Sequence, residues 1–173
     1  VATRLTNSSA LDSRPRWSPD GTQLTFVRAF SNDTAIVVKE LKSGKETVIN
    51  TAAIELDPEF SSDGQSLFYS SGVSGSLDLY QRDIASGSQQ KITSLRQVER
   101  NVRRVAGQNA IIYLHGNGAH RVLRQRDFTA GTDEIVQAQT LTYHLTSDVH
   151  PSQKLIVYSA PIDNDYHLFT MDL

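Results

Sequence analysis

The 173-residue chain is 38% hydrophobic and 21% charged, a balance suited to one globular domain with a sizeable core, and its net charge of -2 excludes a general nucleic-acid binder, which needs a strongly basic face. With no cysteine it has neither a disulfide framework nor a thiolate metal site. Its longest apolar run, Ala110 to Leu114, falls far short of the roughly 20 residues of a membrane helix, so no membrane insertion by this segment is expected.

Taken in order, Val1 to Thr6 reads as a short strand resembling Lys91-Ile92-Thr93 later in the chain. Three further segments, Leu24 to Val27, Ile36 to Leu41 and Glu46 to Ile49, follow the stretch Arg14-Pro15-Arg16-Trp17-Ser18-Pro19-Asp20-Gly21 and are separated from it and from one another by turn residues, the pattern of a four-stranded meander. The same landmarks then return. Trp17 to Phe60, Asp20 to Asp63, Gly21 to Gly64, Phe26 to Tyr69 and Gly44 to Gly87 all lie 43 positions apart. Tyr69 to Tyr113 and Asp83 to Asp127 lie 44 apart, and Tyr113 to Tyr158 lies 45 apart. A period of roughly 40 to 45 residues made of short strands predicts propeller blades.

Four repeats are expected, over about 7–49, 54–93, 98–136 and 145–173, with residues 1–6 a stray outermost strand, all within one domain spanning 1–173. At Asp20-Gly21 and Asp63-Gly64 the turn from first to second strand needs positive φ, which glycine adopts without a Cβ clash. The third repeat is degenerate, keeping Gly107 but with Ala106 for the aspartate and Val105 or Arg104 in the place of Trp17. In the second strands, Leu24 and Phe26, Leu67 and Tyr69, Ile111 and Tyr113, and Ile156 and Tyr158 recur with period two, which predicts one buried face per sheet; these eight side chains, Trp17 and Phe60 are the predicted core. No segment shows a sustained helical period, so the fold class is all-β.

The stretches Arg14 to Gly21 and Asp57-Pro58-Glu59-Phe60-Ser61-Ser62-Asp63-Gly64, with Asp78-Leu79-Tyr80-Gln81-Arg82-Asp83-Ile84 and Lys91-Ile92-Thr93, resemble the WD40-like PD40 repeat of the TolB family. The resemblance implies an all-β propeller of about four four-stranded antiparallel blades. Propellers of this family carry more blades than the four repeats here, so an arc of a larger propeller is also implied. It further implies either a non-enzymatic module that binds protein or peptide partners in the bacterial envelope, with a periplasmic or otherwise exported location, or the propeller domain of a larger hydrolase such as a prolyl-oligopeptidase-type peptidase or amidohydrolase. The sensory part of a membrane-bound regulator is a third use of such repeats. Missing domains of the same parent chain are therefore among the expected partners.

No catalytic site is expected. Gly72-Val73-Ser74-Gly75-Ser76 departs from the nucleophile-elbow pattern because Ser76 replaces its last glycine. His115, His120, His144, His150 and His167 form no compact zinc spacing, and Asp163-Asn164-Asp165 reads as a polar turn rather than a calcium loop, so neither metal nor cofactor is predicted. The candidates for partner binding are Arg16, Glu59, Arg103, Arg104 and His150, which sit at or near the starts of first strands, the strands nearest a propeller's channel. Seven of the twelve arginines fall between Arg96 and Arg126, where Glu99 is the one acid, which predicts a positive surface on the third blade suited to an acidic partner. Pairing with carboxylates of the adjacent blade is the alternative, and Arg100, Arg103 and Arg104 are expected to lie on a different edge from Arg121, Arg124 and Arg126. Strand 3–6 is expected to complete the last blade by pairing with residues 167–172 if the ring closes.

Overall fold

The computed structural model describes all residues except 119, 138–146 and 164. Fifteen strands are described, grouped into four antiparallel meanders. Blade 1 holds β1 (Leu11–Trp17), β2 (Gln23–Ala29), β3 (Thr34–Glu40) and β4 (Glu46–Ile49). Blade 2 holds β5 (Glu55–Phe60), β6 (Ser66–Ser71), β7 (Asp78–Asp83) and β8 (Gln89–Lys91). In blade 3 the order is β9 (Glu99–Arg104), β10 (Ala110–Asn117), β11 (His120–Asp127) and β12 (Thr132–Gln137), and blade 4 has β13 (Ser147–Val149), β14 (Leu155–Ile162) and β15 (Asp165–Asp172). The molecule is an all-β propeller of four blades, the last of them three-stranded among the described residues. First strands meet around the axis in succession, β1 with β5, β5 with β9 and β9 with β13, while no described strand of blade 4 meets one of blade 1.

The turn chemistry repeats with the blades. In Ser18-Pro19-Asp20-Gly21 the Gly21 N–H donates to the Ser18 carbonyl at 3.0 Å, a type I turn with proline at its second position and a left-handed glycine (φ 71°) at its fourth. The Asp20 carboxylate accepts from the Ser18 hydroxyl at 2.6 Å and from the Thr22 N–H at 3.0 Å. Asp63 does the same with Ser61 and with the Gln65 N–H, at 2.5 and 3.0 Å. Blade 3, with Ala106 in that place, keeps the backbone turn alone, through the Gln108 N–H and the Val105 carbonyl at 3.2 Å.

Three apolar layers hold successive blades together. Val27, Ile36, Val38 and Ile49 of blade 1 pack on Phe60, Leu67, Tyr69 and Tyr80 of blade 2. Phe68, Leu79 and Ile92 then meet Val102, Ile111 and Tyr113, and Ile112, Leu114 and Leu123 meet Ile156, Tyr158 and Ala160. The expectation of one buried face per sheet is thus corrected, for the inner blades and for blade 1, where Phe26 and Val37 are buried on the face away from blade 2. Leu67 and Tyr69 face blade 1 while Phe68, between them, faces blade 3, because a blade sandwiched by two neighbours buries both faces. Full burial of each such side chain contributes roughly 1.5–3 kcal/mol.

Nine of the ten predicted core residues are buried, and Trp17 is the exception. Its counterpart Phe60 is fully buried against blade 1, but among the described residues no blade precedes blade 1, and Trp17 is left 56% exposed. The expected strand at 1–6 is also absent: residues 1–8 are not in a strand, and the pairing with 167–172 is not made. Within the segment Arg4 Nε donates to the Thr6 carbonyl at 2.6 Å, and the Thr6 side chain, donating to the Asp12 carboxylate, joins the segment to blade 1.

Candidate functional site

The site grows out of a bulge that recurs in the innermost strands. Strand pairing slips between Ser13 and Arg16, between Leu56 and Glu59, and between Arg100 and Arg103. At each slip one non-glycine residue is left-handed, Arg14 (φ 56°), Asp57 (φ 55°) and Asn101 (φ 57°). Left-handed backbone costs an L-residue roughly 1–2 kcal/mol, and a bulge bends its strand and re-aims the side chains beside it. Here polar contacts between blades offset that cost. The Asp57 carboxylate accepts from the Arg14 guanidinium, from Arg100 Nε at 3.1 Å and from the Asn101 N–H at 3.0 Å. Asn101 Nδ2 passes the chain on to Ser147 Oγ at 3.1 Å, so one polar line crosses all four blades. Burial opposes ionisation of Asp57, yet the charges of Arg100 and Arg14 hold its carboxyl below the usual range.

Two residues beyond each bulge stand Arg16, Glu59 and Arg103, which strand periodicity places on the same side as the bulge residues. Together with Arg104 and His150 they line one cavity of about 220 Å³, so the structure brings together all five residues singled out in the sequence. Trp17 and Asp148 complete its working surface. Glu59, 4% exposed, accepts from Arg104 Nη1 at 2.7 Å and lies 3.9 Å from Arg16 Nε. Arg104 also donates to the Trp17 carbonyl at 3.3 Å, linking blade 3 to blade 1. Arg103 is 8% exposed; its Nη1 donates to the Val102 carbonyl at 2.7 Å and its Nε stands 3.6 Å from Asp148. His150 Nδ1 accepts from the Ser152 N–H at 3.2 Å on the cavity's rim. Burial pushes Glu59 up to about 7 in spite of Arg104, Arg103 and Arg16. Burial, reinforced by Arg16, draws Arg103 down.

Around this axis five arginines (Arg14, Arg16, Arg100, Arg103 and Arg104) face three carboxylates (Asp57, Glu59 and Asp148), an excess of two positive charges on a chain of net charge -2. The cavity itself sets Arg16, Arg103 and Arg104 against Glu59 and Asp148, and it is smaller than the roughly 300–1,000 Å³ usual for a drug-sized ligand. Arg124 and Arg126 divide from Arg100, Arg103 and Arg104 as expected. Arg100, Arg103 and Arg104 reach acids of blades 2 and 4, whereas Arg124 and Arg126 pair with Asp133 of their own blade at 2.9 and 3.4 Å. Pairing and a positive excess therefore coexist at the axis. Asp57 and Asp148 belong to this charged cluster, and the sequence did not single them out; for Asp57 the available signal was an acid 43 positions after Arg14 and 43 before Arg100, opposite charges at equivalent places in adjacent repeats.

The other sequence candidates stay apart. Ser74 donates to Asp78 in the loop after β6, and Ser76 does the same at 3.1 Å. Among the described residues no group of three or more His, Asp or Glu side chains is placed to hold a metal ion. His144 and Asn164 lie outside the described residues.

The model of the TolB β-propeller domain family matches residues 2–173. The chain belongs to that family. Among solved structures it is similar to TolB from Acinetobacter baumannii, with a TM-score of 0.78 at 19% identity over 97% of this chain and 42% of that one. It is also similar to a puromycin-hydrolyzing peptidase from Mycobacterium tuberculosis, with a TM-score of 0.77 at 17% identity over 98% of this chain and 28% of that one. An acylaminoacyl peptidase from Pyrococcus horikoshii gives a TM-score of 0.65 at 15% identity, over 95% of this chain and 32% of the other. At these identities the likeness is one of fold, and this TolB-family chain spans less than half the length of each of the three. No curated protein matches it.

Proposed function

We propose that this TolB-family propeller is a non-enzymatic binding module whose axial cavity takes acidic side chains of a protein or peptide partner. The observation that carries the reading is the convergence of Arg16, Arg103 and Arg104 from two blades on one cavity with Trp17 beside it. Guanidinium groups favour carboxylates, and a half-exposed tryptophan offers apolar contact at the same mouth. Likeness to TolB supports an envelope location, periplasmic or otherwise exported. Likeness to two peptidases supports the second reading, a propeller domain gating the catalytic domain of a larger hydrolase. The native open reading frame separates the two, since only the second needs a hydrolase domain in the same chain.

The test uses a labelled, amidated hexaglutamate peptide. Alanine at both Arg103 and Arg104 is a poor choice, because it removes a buried cation and leaves buried Glu59 without its 2.7 Å partner. Arg16→Gln with Arg104→Gln is better, keeping a hydrogen-bonding amide beside Glu59. A hydrogen bond between charged groups is worth about 1.5–3 kcal/mol, so without these two guanidinium groups binding should weaken at least about tenfold and its salt dependence should flatten. Wild-type protein that ignores the peptide, or a double variant that binds it equally well, overturns the acidic-partner reading.

A further inference from the structure

We infer that Glu59 is an internal competitor for the carboxylate site made by Arg16, Arg103 and Arg104, and that an acidic side chain of the partner enters as Glu59 takes up a proton. This rests on the acidic-partner reading above and adds its regulation.

The arginine cluster has more donor capacity than Glu59 uses. Arg16 Nε and Arg103 Nε are both buried without a hydrogen-bond partner, although each side chain lines the cavity. Arg103 also lines an adjoining cavity of about 270 Å³ shared with Arg16 and Asp148. Buried donors are normally satisfied, and the nearest acids, Asp148 at 3.6 Å from Arg103 Nε and Glu59 at 3.9 Å from Arg16 Nε, stand beyond hydrogen-bond distance, so these two guanidinium N–H groups point to an oxygen ligand that completes them. Glu59 cannot fill that role as well, because its Oε1 is engaged by Arg104 and its Oε2 stands 3.9 Å from Arg16.

A second carboxylate there meets two of its own kind. The charged groups facing Glu59 are Arg16 on β1, Arg103 and Arg104 on β9 and Asp148 on β13. Asp57, on the same strand, is committed to Arg14 and Arg100. Like charges in a confined, nearly dry site do not both ionise, and the group already destabilised by burial is the one that accepts the proton. Glu59 fits that description, since burial pushes it up to about 7 while Asp148 adds to the rise. Neutral Glu59 releases Arg104 to the incoming carboxylate and turns from competitor into hydrogen-bond donor. Binding is then coupled to uptake of one proton, and the competent fraction of the protein declines as pH rises through neutrality.

Calorimetry with amidated hexaglutamate tests this, in buffers of different ionisation heat near pH 7.5. The peptide's own carboxyls, with ordinary values of about 4.3, stay ionised there. The expected result is uptake of up to about one proton per peptide, with Kd weakening about tenfold between pH 6 and pH 8 as the protonated fraction falls. Glu59→Gln should bind at pH 8 as tightly as wild type does at pH 6, without proton uptake. His150→Gln, which removes the imidazole on the rim, should keep the uptake. If Glu59→Gln fails to fold, uptake by wild type and by His150→Gln still decides. Binding without uptake, uptake kept by Glu59→Gln, or a His150→Gln variant that still binds but takes up no proton overturns the inference while leaving the acidic-partner reading intact. Absence of any binding overturns both. Hexaglutamine with a free terminus, if it binds as well as amidated hexaglutamate, makes the ligand a chain-terminal carboxylate and overturns the side-chain assignment.

Discussion

Repeated positions in this propeller carry one design with changed residues. Asp12, Glu55 and Glu99 occupy equivalent places at the inner strands, and each faces the residue paired with it on the second strand: Arg28, Ser71 and His115. Arg28 clamps Asp12 at 2.8 and 3.0 Å, an exchange of charge for charge. Glu99 has no cation so close. It is fully buried, accepts from Thr93 Oγ1 at 2.7 Å and has His115 Nδ1 at 3.4 Å. Burial, with Asp78 nearby, pushes it up from 4.5 to about 7. A carboxyl raised in the folded state contributes stability that is fully present below its unfolded value and is lost as pH rises through the folded one. The melting temperature should therefore decline between about pH 5 and pH 8, and Glu99→Gln, which cannot ionise, should make that decline shallower. Equal slopes for wild type and variant would show that Glu99 does not titrate in this window.

At the scale of the strand and hairpin, what matters is how closely backbones approach. Gly116 near the end of β10 lies opposite Arg121 with φ 130°, and a Cβ placed there would collide with the His120 carbonyl oxygen. Gly107 has φ 67° but open space around it. Replacing Gly116 by alanine should thus cost roughly 3 kcal/mol or more in urea unfolding, since backbone must move, whereas Gly107→Ala should cost about 1–2 kcal/mol of backbone strain. Similar losses at the two sites would mean that the β10–β11 hairpin yields easily. The inner-strand bulges belong to the same scale. They direct Asp57 into the line between Arg14 and Arg100 and set Glu59 into the arginine cluster.

For the molecule as a whole, blades 2 and 3 are covered on both faces, blade 1 also buries Phe26 and Val37 on its face away from blade 2, and among the described residues blade 4 leaves its outer face open. Leu168 is 76% exposed, and Val157 and Tyr166 on the same outward face of blade 4 are also exposed. Contiguous apolar surface of this kind binds hydrophobic dyes. The native protein should enhance the fluorescence of anilinonaphthalene sulfonate, and Leu168→Lys should reduce the enhancement with little change in melting temperature. An unchanged signal would place the dye elsewhere.

Sequence alone determined the all-β class, the blade period, the turns at Asp20-Gly21 and Asp63-Gly64 and nine of the ten core residues, because these depend on neighbours a few positions away and on repetition. It also marked the five cavity residues, because channel proximity follows from strand order within a blade. Tertiary structure decided the rest. Trp17 and Phe60 share a position in the repeat, yet one is exposed and the other buried, since burial depends on whether a blade lies in front. The left-handed Arg14, Asp57 and Asn101 have no common side chain to announce them; contacts between blades compensate for their strain. The charge state of Glu59 likewise follows from burial among three arginines drawn from two other blades, a distance in space that no spacing along the chain encodes.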